Sequence, residues 1–207
     1  DSQLPLLGLT ELLLECGALN LVTEERVRFL AQQAESRVTD VIFAMRIAAG
    51  RLEPHPEPVE LVSLMHAVVR RVQKSTRRHL LTMETGPGSF AGYWDPDHIA
   101  GVLMHLLRNA VQFSPTGGRI NVSIERSAAH ATVRVTDDGI GVPAGLDEQI
   151  FECYFRAPNG AGVVPGGSGL GLFICRGLVQ ANGGSIALEK GRRKGSRFRV
   201  TLPLPTS

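Results

Sequence analysis

Apolar residues recur at helical spacing through LPLLGLTELLLECGAL, Leu4 to Leu19, and the pattern predicts a helix that stops near Gly17. A second helix follows in LVTEERVRFLAQQAESRVTDVIFAMRIAAGRLEP, with Thr23 as N-cap and Glu24 and Glu25 in its first turn. Its apolar positions Val27, Leu30, Ala34, Val38, Val41 and Met45 fall at mixed threes and fours, drawing a narrow seam that ends near Gly50. Two such helices joined by a short turn form a hairpin whose seam needs a partner. A second hairpin supplies one in a dimeric four-helix bundle; the alternative is that both helices lie on the domain that follows. LEPHPEPVE, Leu52 to Glu60, holds three prolines and cannot continue a helix, so it reads as a linker.

Beyond the linker the period changes repeatedly. VELVSLMHAVVRRVQ predicts an amphipathic helix, HLLTMETG and the stretch around GSFAGYWD predict short strands, and DPDHIAGVLMHLLRNAVQFSP predicts a helix capped by Asp95 or Asp97. In RINVSIERSAAHATVRVTDDG, Ile120, Val122 and Ile124 alternate with polar residues, as do Ala131, Val133 and Val135, which predicts a hairpin. SGLGLFICRGLVQANGG predicts a last helix closed by its glycines, and GSIALEKGRRKGSRFRVTLPLP a second hairpin. Helices and antiparallel hairpins in this order predict an α+β fold, a two-layer α/β sandwich with helices on one face of a mixed sheet. The expected division is 1–51 for the helical hairpin, 52–58 for the linker and 59–207 for the sandwich.

Composition narrows the classes. Lysine and arginine number 22 against 20 aspartates and glutamates, and the net charge of +2 is too small to argue for a nucleic-acid partner. The basic clusters RRVQKSTRR and KGRRK read as solvated turns and helix ends. Cys16, Cys153 and Cys175 are far apart and lack metal-ligand spacing, and they read as reduced thiols of a cytoplasmic protein. No apolar run approaches the ~20 residues that cross a bilayer, so no membrane contact by this segment is expected. The start, without Met, reads as a piece of a longer chain that is itself membrane-anchored or free.

Three stretches carry candidate chemistry. In VLMHLLRNAVQFSP, His105 and Asn109 lie one helical turn apart and share a face, with Val102, Leu103, Leu106, Leu107, Ala110 and Val111 around them. Alone, such a pair is more often satisfied core or surface than a site. VTDDGIGVP follows a strand: Gly139 and Gly141 let the backbone turn and approach a flat ligand, and Asp137 can accept from an exocyclic amine. Alone, it reads equally as an Asx-turn. PGGSGLGLFICRG runs Gly166, Gly167, Gly169 and Gly171 into a helix whose N-terminal amides suit an anion, and phosphate is the expected guest. The spacing is neither GxxxxGK[ST] nor GxGxxG. Between the last two stretches, Phe151, Tyr154 and Phe155 precede about a dozen small residues, expected to form a functional lid or a disordered loop.

In chain order, HLLRNAVQFSP, DDGIGVP, FECYFRA and GGSGLGLFICRGLVQANGG resemble the N, G1, F and G2 boxes of the sensor histidine kinases, within the wider ATPase group of gyrase, the mismatch-repair protein MutL and heat-shock chaperones. The helix hairpin and AAGRLEPHPEPVEL are similar to that family's dimerisation region and its junction with the ATPase domain. The resemblance implies a Bergerat-type (GHKL) ATP-binding fold, ATP and Mg²⁺ as cofactors, a homodimer through the N-terminal helices and a response-regulator receiver domain as partner. It implies that Asn109 coordinates Mg²⁺, that His105 orients the metal's water or polarises the phosphoacceptor, and that Asp137 reads the adenine amine in a pocket shaped by Gly139 and Gly141. Gly167, Ser168, Gly169, Leu170 and Gly171 are implied at the phosphates, with Gln112, Phe151 and Phe155 completing the ATP-binding set.

Two positions depart from the family pattern. The family's NAxK places a lysine at a phosphate where NAVQ has Gln112; losing that charge forfeits about 1.5–3 kcal/mol and weakens binding without abolishing it. The acceptor histidine of the HE[LF]RTPL-like motif has no counterpart either, since His55, His66, His79, His98, His105 and His130 all lie outside the first helix. Aligning ELLLE with the family's similar segment puts the acceptor about three or four residues before Asp1, unless the parent protein has a degenerate one. The expected activity is a histidine autokinase that passes its phosphoryl group to a receiver aspartate. The alternatives are a pseudokinase signalling module without phosphotransfer and, disfavoured by the helix hairpin, an ATP-hydrolysing clamp of the gyrase or MutL type.

Overall fold

A computed structural model of the chain describes residues 21–160, 167–189 and 194–205. The expected first helix, Leu4 to Leu19, and lid residues 161–166 lie outside the described residues. The elements run α1 Leu21–Ala48, β1 Glu57–Glu60, α2 Leu61–Ser75, β2 His79–Thr85, β3 Ala91–Trp94, α3 Pro96–Gln112, β4 Gly118–Arg126, β5 His130–Asp137, α4 Gly171–Ala181, β6 Ser185–Leu188 and β7 Arg197–Pro203.

The main sheet has the order β2-β4-β5-β7-β6, with β2 and β4 parallel and every other neighbour antiparallel. Its register aligns the alternating apolar positions into rows: Met83, Val122, Val135, Phe198 and Leu188 form one, and Ile124, Val133, Val200 and Ile186 the next. These rows meet Val68, Val72, Leu103, Leu106, Leu107, Ile174 and Leu178 from α2, α3 and α4 in a single core. The opposite face is polar, and there Arg134 bridges Glu125 at 2.8 Å and Glu189 at 3.0 Å. The result is the expected α+β architecture of helices on one face of a mixed sheet.

The linker differs from its expectation. Glu57–Glu60 pair antiparallel with Ala91–Trp94 in a two-stranded ribbon. Pro58 gives no N–H to a ladder, which a ribbon of edge strands tolerates and a central strand does not. Glu60 then caps α2, accepting from Val62 N at 3.3 Å and Ser63 N at 2.7 Å.

Helix α3 positions the site and is fixed at its start by a buried polar cluster. Asp95 is the N-cap, with Oδ1 accepting from His98 N at 3.0 Å and Oδ2 from the linker amide of His55 at 2.9 Å. Asp95 N donates to Asn182 Oδ1 at 2.7 Å, which ties the C-cap of α4 to the same point. Burial alone would raise the Asp95 carboxyl, but the His55 and His98 amides outweigh it and hold it below its ordinary value. His98, 6% exposed, is pushed down by burial against the opposing pull of Asp95 and Asp97.

Candidate functional site

Asp137 ends β5 on the inward row, because the alternation of Ala131, Val133 and Val135 carries on to it, and it stands opposite Ile120 of β4. A carboxylate therefore occupies a core-facing position and is 3% exposed. Its partners come from the next residues and from the turn before β7. Oδ1 accepts from Gly139 N at 2.8 Å and Ser196 N at 3.2 Å, Oδ2 accepts from Ser196 Oγ, and Asp137 N donates to Ser196 O at 3.0 Å. Ser196 escapes sequence reasoning, since its only local signal is a Gly-Ser pair in a hairpin turn.

Gly139 brings this turn against the end of α3. A Cβ on it would stand 2.2 Å from Phe113 O and 2.7 Å from Ser114 Oγ, so no larger residue fits the approach. Ile140 N donates to Phe113 O at 3.0 Å, and the buried Ser114 Oγ has no hydrogen-bond partner among the described residues. Asn159 Nδ2, from the start of the expected lid, donates to Gly141 O at 3.0 Å.

The second glycine stretch meets the aromatic one. Gly169 has φ +71°, and a Cβ there would lie 2.6 Å from the Tyr154 carbonyl carbon and 2.9 Å from Phe155 O. Ser168 Oγ accepts from Leu170 N at 3.3 Å, and α4 begins at Gly171 with no side chain capping its first turn. Uncapped N-terminal amides are donors that an anion satisfies. Gly171 also touches α3, where a Cβ would stand 3.4 Å from His105 Nδ1.

The aromatic trio does not act as one patch. Phe151 is a core residue, edge-on to Phe198 with ring centres 6.3 Å apart, with the Arg176 guanidinium 5.8 Å above its ring. Phe155 packs half-buried against the core, and Tyr154 is exposed at φ +63°. Gln112 is exposed at the end of α3.

The polar pair of α3 divides its loyalties. Asn109 is half-buried, and its amide makes no hydrogen bond to the described residues. An amide oxygen is a hard donor suited to Mg²⁺, which keeps most of its shell as water and phosphate oxygen and so asks little of the protein. His105 instead reaches α1, with Nε2 3.3 Å from Asp40 Oδ1. The expected N, G1, F and G2 stretches are thus in mutual contact, joined through Phe113 with Gly139, Tyr154 with Gly169, and His105 with Gly171.

Comparison with known proteins gives a consistent result. Residues 94–206 match the family described as histidine kinase-, DNA gyrase B-, and HSP90-like ATPase. The adaptive-response sensory kinase SasA of a Synechococcus species is 31% identical over 183 residues, which is 87% of this chain and 48% of that one. The mycobacterial sensor histidine kinase MprB superposes with a TM-score of 0.64 at 25% identity, over 74% of this chain and all of that one. Full-length ShkA in complex with AMPPNP superposes with a TM-score of 0.73 at 22% identity, over 91% of this chain and 40% of its own, a likeness of fold. The chain spans about half the length of the curated relatives it matches.

Proposed function

The chain belongs to the family of histidine kinase-, DNA gyrase B- and HSP90-like ATPases, as the catalytic ATPase part of a sensor histidine kinase, and from that membership we propose that it binds Mg·ATP and supplies its γ-phosphoryl group to a histidine. The observation that carries this reading is the contact of the uncapped α4 terminus with the face of α3 that bears His105 and Asn109. The adenine amine would meet Asp137, held in place by Ser196, and the phosphates would lie along Gly167, Ser168, Gly169, Leu170 and Gly171. Asn109 would hold Mg²⁺, which when bound neutralises charge on the triphosphate. The chain's own part would be positioning: the buried Asp137 carboxylate, the half-buried Asn109 amide and the amides at the start of α4 would be set in place before the nucleotide arrives.

The acceptor histidine and the receiver partner belong to the same proposal. Residues 1–51 would form the dimerisation hairpin, 52–58 the junction and 59–207 the catalytic domain. Calorimetric titration with Mg·ATP tests the binding: saturable uptake with preference over GTP is expected, and none in a folded protein would refute it. Incubation with γ-labelled ATP and an acceptor-bearing helix of the same family then separates kinase from pseudokinase.

A further inference from the structure

The His105 ring is held between elements remote in sequence. Its Nε2 lies 3.3 Å from Oδ1 of Asp40 on α1, and the two side chains are 20% and 18% exposed. Its Nδ1 faces Gly171, the first residue of α4, whose opening turn no side chain caps. A cavity of about 170 Å³ borders the pair, with Phe43, Met104 and Ile174 on its walls, so packing alone does not wedge the ring. A carboxylate beside one ring nitrogen keeps the proton there and sets the ring's orientation, leaving the other nitrogen as an acceptor for a ligand. Asn109 lies one turn along the same helix.

We propose that Asp40 is a positioning residue of the nucleotide site, fixing His105 so that Nδ1 accepts a hydrogen bond from a water of the magnesium–nucleotide complex and making α1 part of that site. This rests on the Mg·ATP reading above. The placement has a consequence that a self-contained catalytic domain would lack. Any shift of α1 along or about its axis changes the His105 ring, and nucleotide affinity then reports the position of α1. A second α1–α3 contact, Arg108 Nη1 donating to Ser36 Oγ at 3.2 Å, lies beside the first and does not involve His105. It provides a control for simple docking of the two helices.

The test measures ATP affinity of the whole chain in Mg²⁺ and in EDTA by displacement of a fluorescent nucleotide. The unmutated protein should bind more tightly in Mg²⁺. Asp40→Asn should shrink that enhancement about tenfold or more, since the carboxylate that orients the His105 ring is lost, while affinity in EDTA stays the same. Asp40→Glu should regain most of it, and Ser36→Ala should leave it untouched. An undiminished enhancement in a folded Asp40→Asn protein overturns the proposal, as does an equal loss in both conditions, which marks a merely structural role. Absence of any Mg²⁺ enhancement in the unmutated protein overturns the metal reading itself, and this inference with it.

Discussion

Asp137 has a fixed orientation before any ligand arrives, because Gly139 N, Ser196 N and Ser196 Oγ converge on its two oxygens. Exchanging it for asparagine turns one acceptor oxygen into a donor and sets it against those N–H and O–H groups. Asp137→Asn should therefore lower ATP affinity by tenfold or more, in line with about 1.5–3 kcal/mol for a charge-assisted bond, and narrow the preference for ATP over GTP. Competitive calorimetry with the two nucleotides reads both, and equal affinities in the unmutated protein would count against the adenine assignment. Asn109→Ala should abolish the Mg²⁺-dependent part of ATP binding while the circular dichroism spectrum is unchanged; retained dependence would remove Asn109 from the metal. Asp137 was legible in the sequence since period-two alternation points position 137 inward, and Asn109 since its neighbours are apolar at helical spacing. Ser196 and Asp40 were not, because each reaches its partner from a distant segment and nothing in its local pattern marks it.

Helix α3 works as a rigid bar pinned at its start and presenting the site at its end. The pin is the Asp95, His98 and Asn182 cluster, and it makes stability depend on pH in a definite direction. Folded Asp95 titrates below its ordinary 3.8, so its contribution is complete above that value and is lost as pH falls through the folded value. Folded His98 titrates below 6.5, so as pH drops under 6.5 the unfolded chain takes up a proton that the folded chain refuses. Both act in the same sense, and acid destabilises. Urea unfolding at pH 7.5, 6.0 and 5.0 should show falling midpoints, with a flatter profile for His98→Gln over the upper part of that window; identical slopes would exclude His98 as the titrating group. At the other end of the bar, Gly169→Ala would drive a Cβ into the Tyr154 backbone from a left-handed φ. It should weaken ATP binding several-fold at the proposed phosphate loop and lower the unfolding midpoint as well, because the backbone clash and the left-handed φ are both destabilising. Among the described residues the element pattern was readable from hydrophobic periods, apart from β1, where prolines hid a strand that pairs only at the edge.

For the molecule as a whole, α1 shows two faces with different fates. Ser36, Asp40, Phe43 and Ala44 lie toward α3 and α4, with Phe43 edge-on to His98 at 6.0 Å between ring centres. Of the seam drawn by the sequence, Leu30, Ala34, Val38, Val41 and Met45 are exposed on this chain, Met45 to 67%, and Val27 is half-buried. The two expectations for this helix, packing on the following domain and pairing in a bundle, therefore use different residues and do not compete. Four large apolar side chains in a line on one helix are poorly placed in water, and because each is about half exposed, each leaves roughly 1 kcal/mol of burial unrealised. A coiled-coil-like partner face recovers it, and a second copy with its own seam is the symmetric solution. The chain should run as a dimer in light scattering at micromolar concentration. Val38→Glu with Met45→Glu should give a monomer mass, and because neither residue faces α3, Mg·ATP affinity should stay within about twofold of the unmutated protein. A monomer before mutation would leave the seam without its partner, and loss of nucleotide binding on dissociation would mean that the second copy completes the site.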